Sequence, residues 1–530
     1  MTPRTRGRAG LAAIGLSVAA TFAVAAAGPS AQEPVLPGGS GQPPWAFDLH
    51  LSAYLAVGLT ALALAAGTAG LVLALLAIRG GWRVPARAVL LTGILAAFVL
   101  TLVPPFGSSD PLSYAAYGRM VATGHNPYLT TPAQLAAHGD PVARAVQDWF
   151  SQPSVYGPLA SGIQALAALI GGTSARLIVF VLGVANLAAF AGTGLLLHWM
   201  TREQRGDRQL RAALLWTANP LLLQVLVAGG HVDAQAIVFC VAAAALLYGR
   251  PEPTLPRALL AGGLVGLGFA IKVTAALVGL GFAIALALAL RGAWRRLVPL
   301  LAALAAGFAM VAGAALAIGG QAMLTATAQA SDMVSIGSPW RAIRSVLQDA
   351  FGHGAATDLV KAGAIVLAVV LAVLLARAAG GATGGWGQVA IPLALVLGWL
   401  FAWPYVLPWY DALGWALLAL VPASNLDWLV LARTAALGFA YLPARTVDVT
   451  LPPGLSWLRP VFRNGVAPAV LAIVVALTVV IVSNRYSALS DIGSVGNSRD
   501  AGGSDRRPDG DNRAPARRPG REGMLGADRR

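Results

Sequence analysis

Between Leu51 and Ile78 there is not one charged side chain, and comparable apolar runs recur along the chain to about Val482. The hydrocarbon core of a bilayer is about 30 Å thick, and about 20 consecutive apolar residues in a helix cross it. Backbone N–H and C=O groups find no water there, so a crossing segment must satisfy them internally. Repetition of such runs restricts the chain to one architecture, a bundle of membrane helices. Composition agrees: 57% of residues are hydrophobic and 11% are charged, against about 25% charged in a soluble domain. The expected fold class is an all-α polytopic membrane protein with about 13–14 transmembrane helices and long extracytoplasmic loops.

Charge sets the orientation. A net charge of +15 on a soluble protein would suggest nucleic acid. Here the arginines gather in short loops and in the tail, as the positive-inside rule requires, and no nucleic-acid partner is expected. Arg4, Arg6 and Arg8 precede an apolar run to about Ala27. That run is either a signal peptide cleaved near Ala25–Gly28 or a first membrane helix, and the helix is favoured because the helix count then works out. Arg79, Arg83 and Arg87 mark a cytoplasmic turn. The run from about Ala88 to Val103 then returns the chain to the outer side. Leu159–Ile170 is short for a span and is expected to lie in the interface or re-enter. Residues 1–49 form an N-terminal membrane segment and linker, and 50–484 form the transmembrane domain. Residues 485–530 form a cytoplasmic tail too poor in large apolar side chains to bury a core, hence disordered. Both termini are expected in the cytoplasm and the protein in the plasma membrane.

Polar residues in so apolar a chain are the candidates for function, since membrane-embedded charge is costly and usually faces a wet cavity. The stretch Val103–Leu159 is polar, aromatic and turn-rich. Within it, Asp110 either caps the helix that Pro111 begins or acts as a general base. A carboxylate fully engaged with backbone N–H groups would be a poor base. Tyr114, Tyr117 and Tyr156 read as interfacial anchors or as site walls, and Arg119 as a phosphate or headgroup ligand. His231 and Asp233 follow a segment that Pro220 should kink, with Asp233 alternatively capping a helix from Ala234. No third ligand lies nearby, so zinc is not expected. Lys272, among apolar neighbours, must snorkel or find an anion. Trp403–Asp411, which includes Trp409 and Tyr410, is either an aromatic belt or a shaped corner whose rings could face a sugar. Alternation of the runs puts all these groups on one side, which suggests one site. Cys240 stands alone in an apolar run and reads as a small core residue. No motif signals a cofactor or metal.

Four segments together, DPLSYAAYGRMVATGHNPY, PSVYGPL, NPLLLQVLVAGGHVD and LPWY, resemble the polyprenol-phosphomannose-dependent α-1,6-mannosyltransferases of actinobacterial envelopes. Within these the chain most resembles the mannosyltransferase B type, in the glycosyltransferase C superfold. The resemblance implies an outward-facing site, a polyprenyl-phosphate mannose donor, a lipid-anchored mannoside acceptor such as the lipomannan core, and inversion. It also implies an acidic base in an early outer loop, and Asp110 is the matching position. The superfold often has an adjacent acidic pair there, whereas this chain has Ser108-Ser109 before Asp110. Asp110 is therefore expected to work alone or with Asp233, without a metal. The leaving phosphate needs positive charge, for which Lys272, Arg119, His231 and Arg341 or Arg344 are candidates. Membrane lipids are the remaining expected partners. The alternative is a transporter or lipid flippase of envelope precursors, for which an internal repeat would be the signature.

Overall fold

The structure, a computed structural model, describes residues 1–39, 41–202, 206–247, 253–379, 387–444 and 451–497, excluding the side chains of 379, 387, 388 and 483–497. Among the described residues every regular element is a helix. Seven are long and apolar enough to cross a membrane by length and composition, accompanied by six shorter apolar helices of 10–17 residues. The chain is an all-α, multi-pass membrane protein. Contacts divide it into Met1–Val482 and Ser483–Arg530. The second unit holds the end of the helix Ala467–Asn497, and residues 498–530, most of the expected tail, lie outside the described residues. All the helix contacts and cavity walls described below belong to the first unit.

Helix starts are written locally. Ser52 accepts from the Leu55 N–H at 3.3 Å and Ser174 from the Leu177 N–H at 3.2 Å. These caps satisfy donors that lipid cannot. Between helices, lipid removes the usual apolar driving force, and close backbone approach takes its place. The helices Pro3–Ala27 and Ala53–Arg79 meet at Gly10 and Gly70, where an added Cβ would stand 2.7 Å from the Ala74 nitrogen and 2.8 Å from the Ile14 nitrogen, respectively. The helices Leu255–Phe269 and Trp294–Ala330 meet in the same way at Gly262 and Gly307, each lying against a carbonyl of the other helix.

Three local departures from the expected pattern shape the outer end. Pro220 does not kink a continuous helix. The helix Gly206–Leu215 stops, Asn219 caps a new turn by accepting from Leu221 and Leu222, and a π-helical stretch follows at Leu223–Ala228. The Asn219 amide offers the backbone a partner of its own, which competes with helix continuation. The short apolar piece after Tyr156 forms the helix Pro158–Gly171 and packs on the helix Asp110–Ala122. There Gly118 lies so close to the Gln164 carbonyl that a Cβ would strike it. The linker after Gly28 is not wholly solvent-facing, because Gln32 and Glu33 are buried and Gly107 donates to the Gln32 carbonyl at 2.9 Å.

Candidate active site

A cavity of about 930 Å³ opens among the early outer loop, the Lys272 corner, the end of Trp294–Ala330, the aromatic corner after Trp399, and Arg459–Arg463. Aromatic and polar side chains share its walls.

Asp110 lies on its wall. The helix Asp110–Ala122 begins at Asp110, and Ser109, at the cap position, makes no side-chain cap bond. The Asp110 carboxylate is therefore not consumed in capping. Its oxygens meet side chains instead. Trp149 Nε1 donates to Oδ1 at 3.1 Å. His231 Nδ1 stands 3.4 Å from Oδ2, and the Tyr114 hydroxyl donates to Oδ2 at 3.4 Å. Burial by itself would raise the Asp110 pKa. The His231 hydrogen bond and charge, the Trp149 donor and the Lys272 charge outweigh it, and the carboxyl titrates below its ordinary value. The Tyr156 hydroxyl donates onward to Tyr114 at 3.3 Å, and the two rings meet edge to face. Burial pushes both phenols well above their ordinary pKa, so each remains a neutral donor.

His231 is delivered by the π-helical stretch and by Gly230, whose positive φ of 66° is a turn conformation open chiefly to glycine. The Gly230 carbonyl accepts from Asn186 at 2.8 Å. The buried imidazole stacks on Trp409, with ring centroids 3.5 Å apart at 13°. His231 thus stands behind the cavity wall, between the helix Asp110–Ala122 and the aromatic corner. Asp233 faces another partner. It begins the helix Asp233–Leu247 rather than preceding it and holds Lys272 Nζ at 2.5 Å. Lys272 also lies 3.8 Å from the centroid of the Tyr410 ring, a cation–π contact. The lysine has found its anion rather than snorkelling.

Asp110, Tyr114, Tyr156, Lys272, Trp409 and Tyr410 all line the cavity, while His231 and Asp233 support it from behind. Arg119 does not join them. It sits about two and a half turns along the helix from Asp110 and pairs with Asp140 at 2.9 Å, where Asp140 caps the short helix Pro141–Arg144. Arg341 and Arg344 are also absent from the lining, and Arg344 bonds His353 at 3.1 Å. Arg459 and Arg463 line the cavity instead, the latter 5.5 Å from the centroid of the Tyr441 ring. Sequence reasoning missed both, together with Asp148, Trp149 and Tyr441. Their only signal was polarity or aromaticity beside apolar runs, which many interfacial residues share. Among the described residues no three His, Cys, Asp or Glu side chains gather to hold a metal ion. Cys240 is a buried free thiol.

Comparison with known proteins points the same way as the site. Residues 8–290 match the family model described as alpha-(1->6)-mannopyranosyltransferase, N-terminal domain, which is more than half of the 530 residues. Alpha-(1->6)-mannopyranosyltransferase B of Corynebacterium glutamicum is 28% identical over 184 residues, covering 33% of this chain and 30% of that protein. A protein of Mycolicibacterium smegmatis named a probable alpha-(1->6)-mannopyranosyltransferase is 32% identical over 167 residues, covering 30% of this chain and 29% of that protein. The aligned part spans under a third of either relative. By the extent of the family match, this chain belongs to the alpha-(1->6)-mannopyranosyltransferase family.

Proposed function

We propose that the chain transfers mannose from polyprenyl-phosphate mannose to a lipid-anchored α-1,6-mannan, the lipomannan core, with inversion and with Asp110 as general base. The observation that carries this reading is the state of Asp110. Its carboxylate is released from helix capping, bordered by side-chain donors, and set on the wall of a cavity large enough for a mannosyl phosphate. In the step itself the bond between the anomeric carbon and the donor phosphate oxygen breaks, and its electron pair leaves with the polyprenyl phosphate. The acceptor 6-hydroxyl oxygen bonds to the anomeric carbon from the opposite face, and its proton passes to Asp110. A β-linked donor becomes an α-glycoside.

A base with a lowered pKa is weak towards an alcohol. It is adequate when the proton moves late, after the sugar has developed positive charge. Lys272, Arg459 and Arg463 are cations that line the cavity and are the groups to meet the departing phosphate. The Lys272 charge is shared with Asp233, so the field at the phosphate depends on the two arginines as well. The rings of Trp403, Tyr405 and Tyr410 suit the apolar faces of a hexose.

The site is read as extracytoplasmic and both termini as cytoplasmic. Supporting this, Arg79, on the expected inner side, pairs with Asp427 at 3.4 Å, where Arg211 joins it at 2.5 Å, and none of the three lines the cavity. The test is a membrane assay with labelled polyprenyl-phosphate mannose and a short α-1,6-mannoside, followed by linkage analysis. Asp110→Asn is expected to abolish transfer while the protein still inserts; near-normal turnover in that variant removes Asp110 as the base.

A further inference from the structure

Residues 148–152 run beside the base helix and are tied to it at four points. Ser109 donates to the Asp148 carboxylate at 2.5 Å and Ser113 to the Asp148 carbonyl at 3.1 Å. Tyr117 donates to the Gln152 carbonyl at 3.1 Å, and the Trp149 indole donates to Asp110 Oδ1 at 3.1 Å. Positions 109, 113 and 117 recur at the spacing that places side chains on one helix face, so the segment lies along the helix like a splint.

Trp149 departs from the rest of that segment. Its φ is +60°, in the left-handed region that disfavours bulky side chains. Strain of this kind persists where surrounding contacts over-determine it, and it clusters at functional sites. The side chain is not held there by core packing, being 37% exposed and on the cavity wall. What the conformation achieves is to aim the indole N–H at the carboxylate.

We infer that Trp149 is a positioning residue that holds Oδ1 of Asp110 from the cavity side and so fixes the orientation in which the carboxylate takes the acceptor proton. A carboxylate free to rotate about its χ2 bond presents either oxygen. With Oδ1 held by Trp149 at 3.1 Å on the cavity side and Oδ2 met by His231 and Tyr114 at 3.4 Å each, that rotation is restrained from both sides. The inference rests on the reading of Asp110 as base and adds the residue that gives the base its direction.

The experiment measures kcat and KM against pH for the full chain in membranes, with polyprenyl-phosphate mannose and a short α-1,6-mannoside. The proteins compared are the wild type, Trp149→Phe, Trp149→Gly and Asp110→Asn. Phe keeps a ring but no donor. Gly relieves the backbone strain, so it still reports if the Phe variant inserts poorly. Both variants should lose about ten- to a hundredfold in kcat with KM for either substrate within about twofold. Loss of a donor to the charged form should also raise the acid limb by about one pH unit. A limb that stays in place, or a rise in KM with kcat retained, overturns the inference, the latter assigning Trp149 to sugar binding alone. If Asp110→Asn stays active, the base assignment has failed; if it is inactive and only the Trp149 variants behave like wild type, the positioning role alone has failed.

Discussion

At the residue scale, context settles roles that side-chain type leaves open. Lys272 in an apolar run was equally consistent with snorkelling, and the fold pairs it with Asp233 at 2.5 Å with both side chains largely buried. Removing one member of a buried pair strands the other, at a cost of about 3–5 kcal/mol. Lys272→Ala should therefore lower thermal stability and weaken donor saturation together. Lys272→Ala/Asp233→Ala should recover much of the stability without the activity. A double-mutant thermal cycle measures the first effect and donor titration the second. Losses in the two single variants that simply add in the double variant would mean the pair is not coupled. For Asp110 the sign of the pH effect follows from its lowered pKa. The group stabilises the fold above the unfolded carboxyl pKa of about 3.9, and that contribution disappears as pH falls through the lower, folded value. Transfer should accordingly show no acid limb near neutrality, and a limb there would mean that Asp110 is not the group whose protonation stops transfer.

At the scale of elements, the apolar runs predicted where helices exist better than where they end. Asn219 broke a run that hydropathy carries straight through, because its amide competes locally with the helical hydrogen bond. The helical stretch Trp294–Ala330 breaks at Gly320, where the backbone leaves the helical region, and a second helical piece carries it on to Ala330. The contact that seats the helix Asp110–Ala122 was illegible beforehand. Gly118 in a tyrosine-rich helix looks like a mere weak point, yet it is where the Gln164 backbone approaches. Gly118→Ala would add helix propensity in isolation but should push the Asp110 helix away from Pro158–Gly171. The expected result is reduced transfer and about 1–3 kcal/mol of lost stability. A gain in thermal stability with full activity would show that the contact is not tight.

At the scale of the whole molecule, the expected orientation separates the cluster of Asp427 with Arg79 and Arg211 from the residues of the cavity, which do not include it. The sole cysteine is buried, so a Cys240→Ser background gives a clean labelling scaffold. An impermeant thiol reagent applied to intact cells should reach Leu129→Cys, at an exposed loop position, and should reach Arg83→Cys only after permeabilisation. The reverse pattern would invert the proposed orientation and place the site in the cytoplasm.

Sequence by itself determined that the chain is an all-helical membrane protein, and its motifs marked Asp110, Tyr114, Tyr156, His231, Asp233, Lys272, Trp409 and Tyr410 as residues to follow. Both rest on local information: transfer into lipid is summed residue by residue along a segment, and a motif is contiguous. Tertiary structure decided partnership. It gave Asp110 to His231 and Trp149 and Lys272 to Asp233, took Arg119 away to Asp140, and brought Arg459 and Arg463 to the cavity from outside every motif. Pairing depends on distances of a few ångströms between segments tens to hundreds of residues apart, which backbone-close helix packing sets and no one-dimensional pattern encodes.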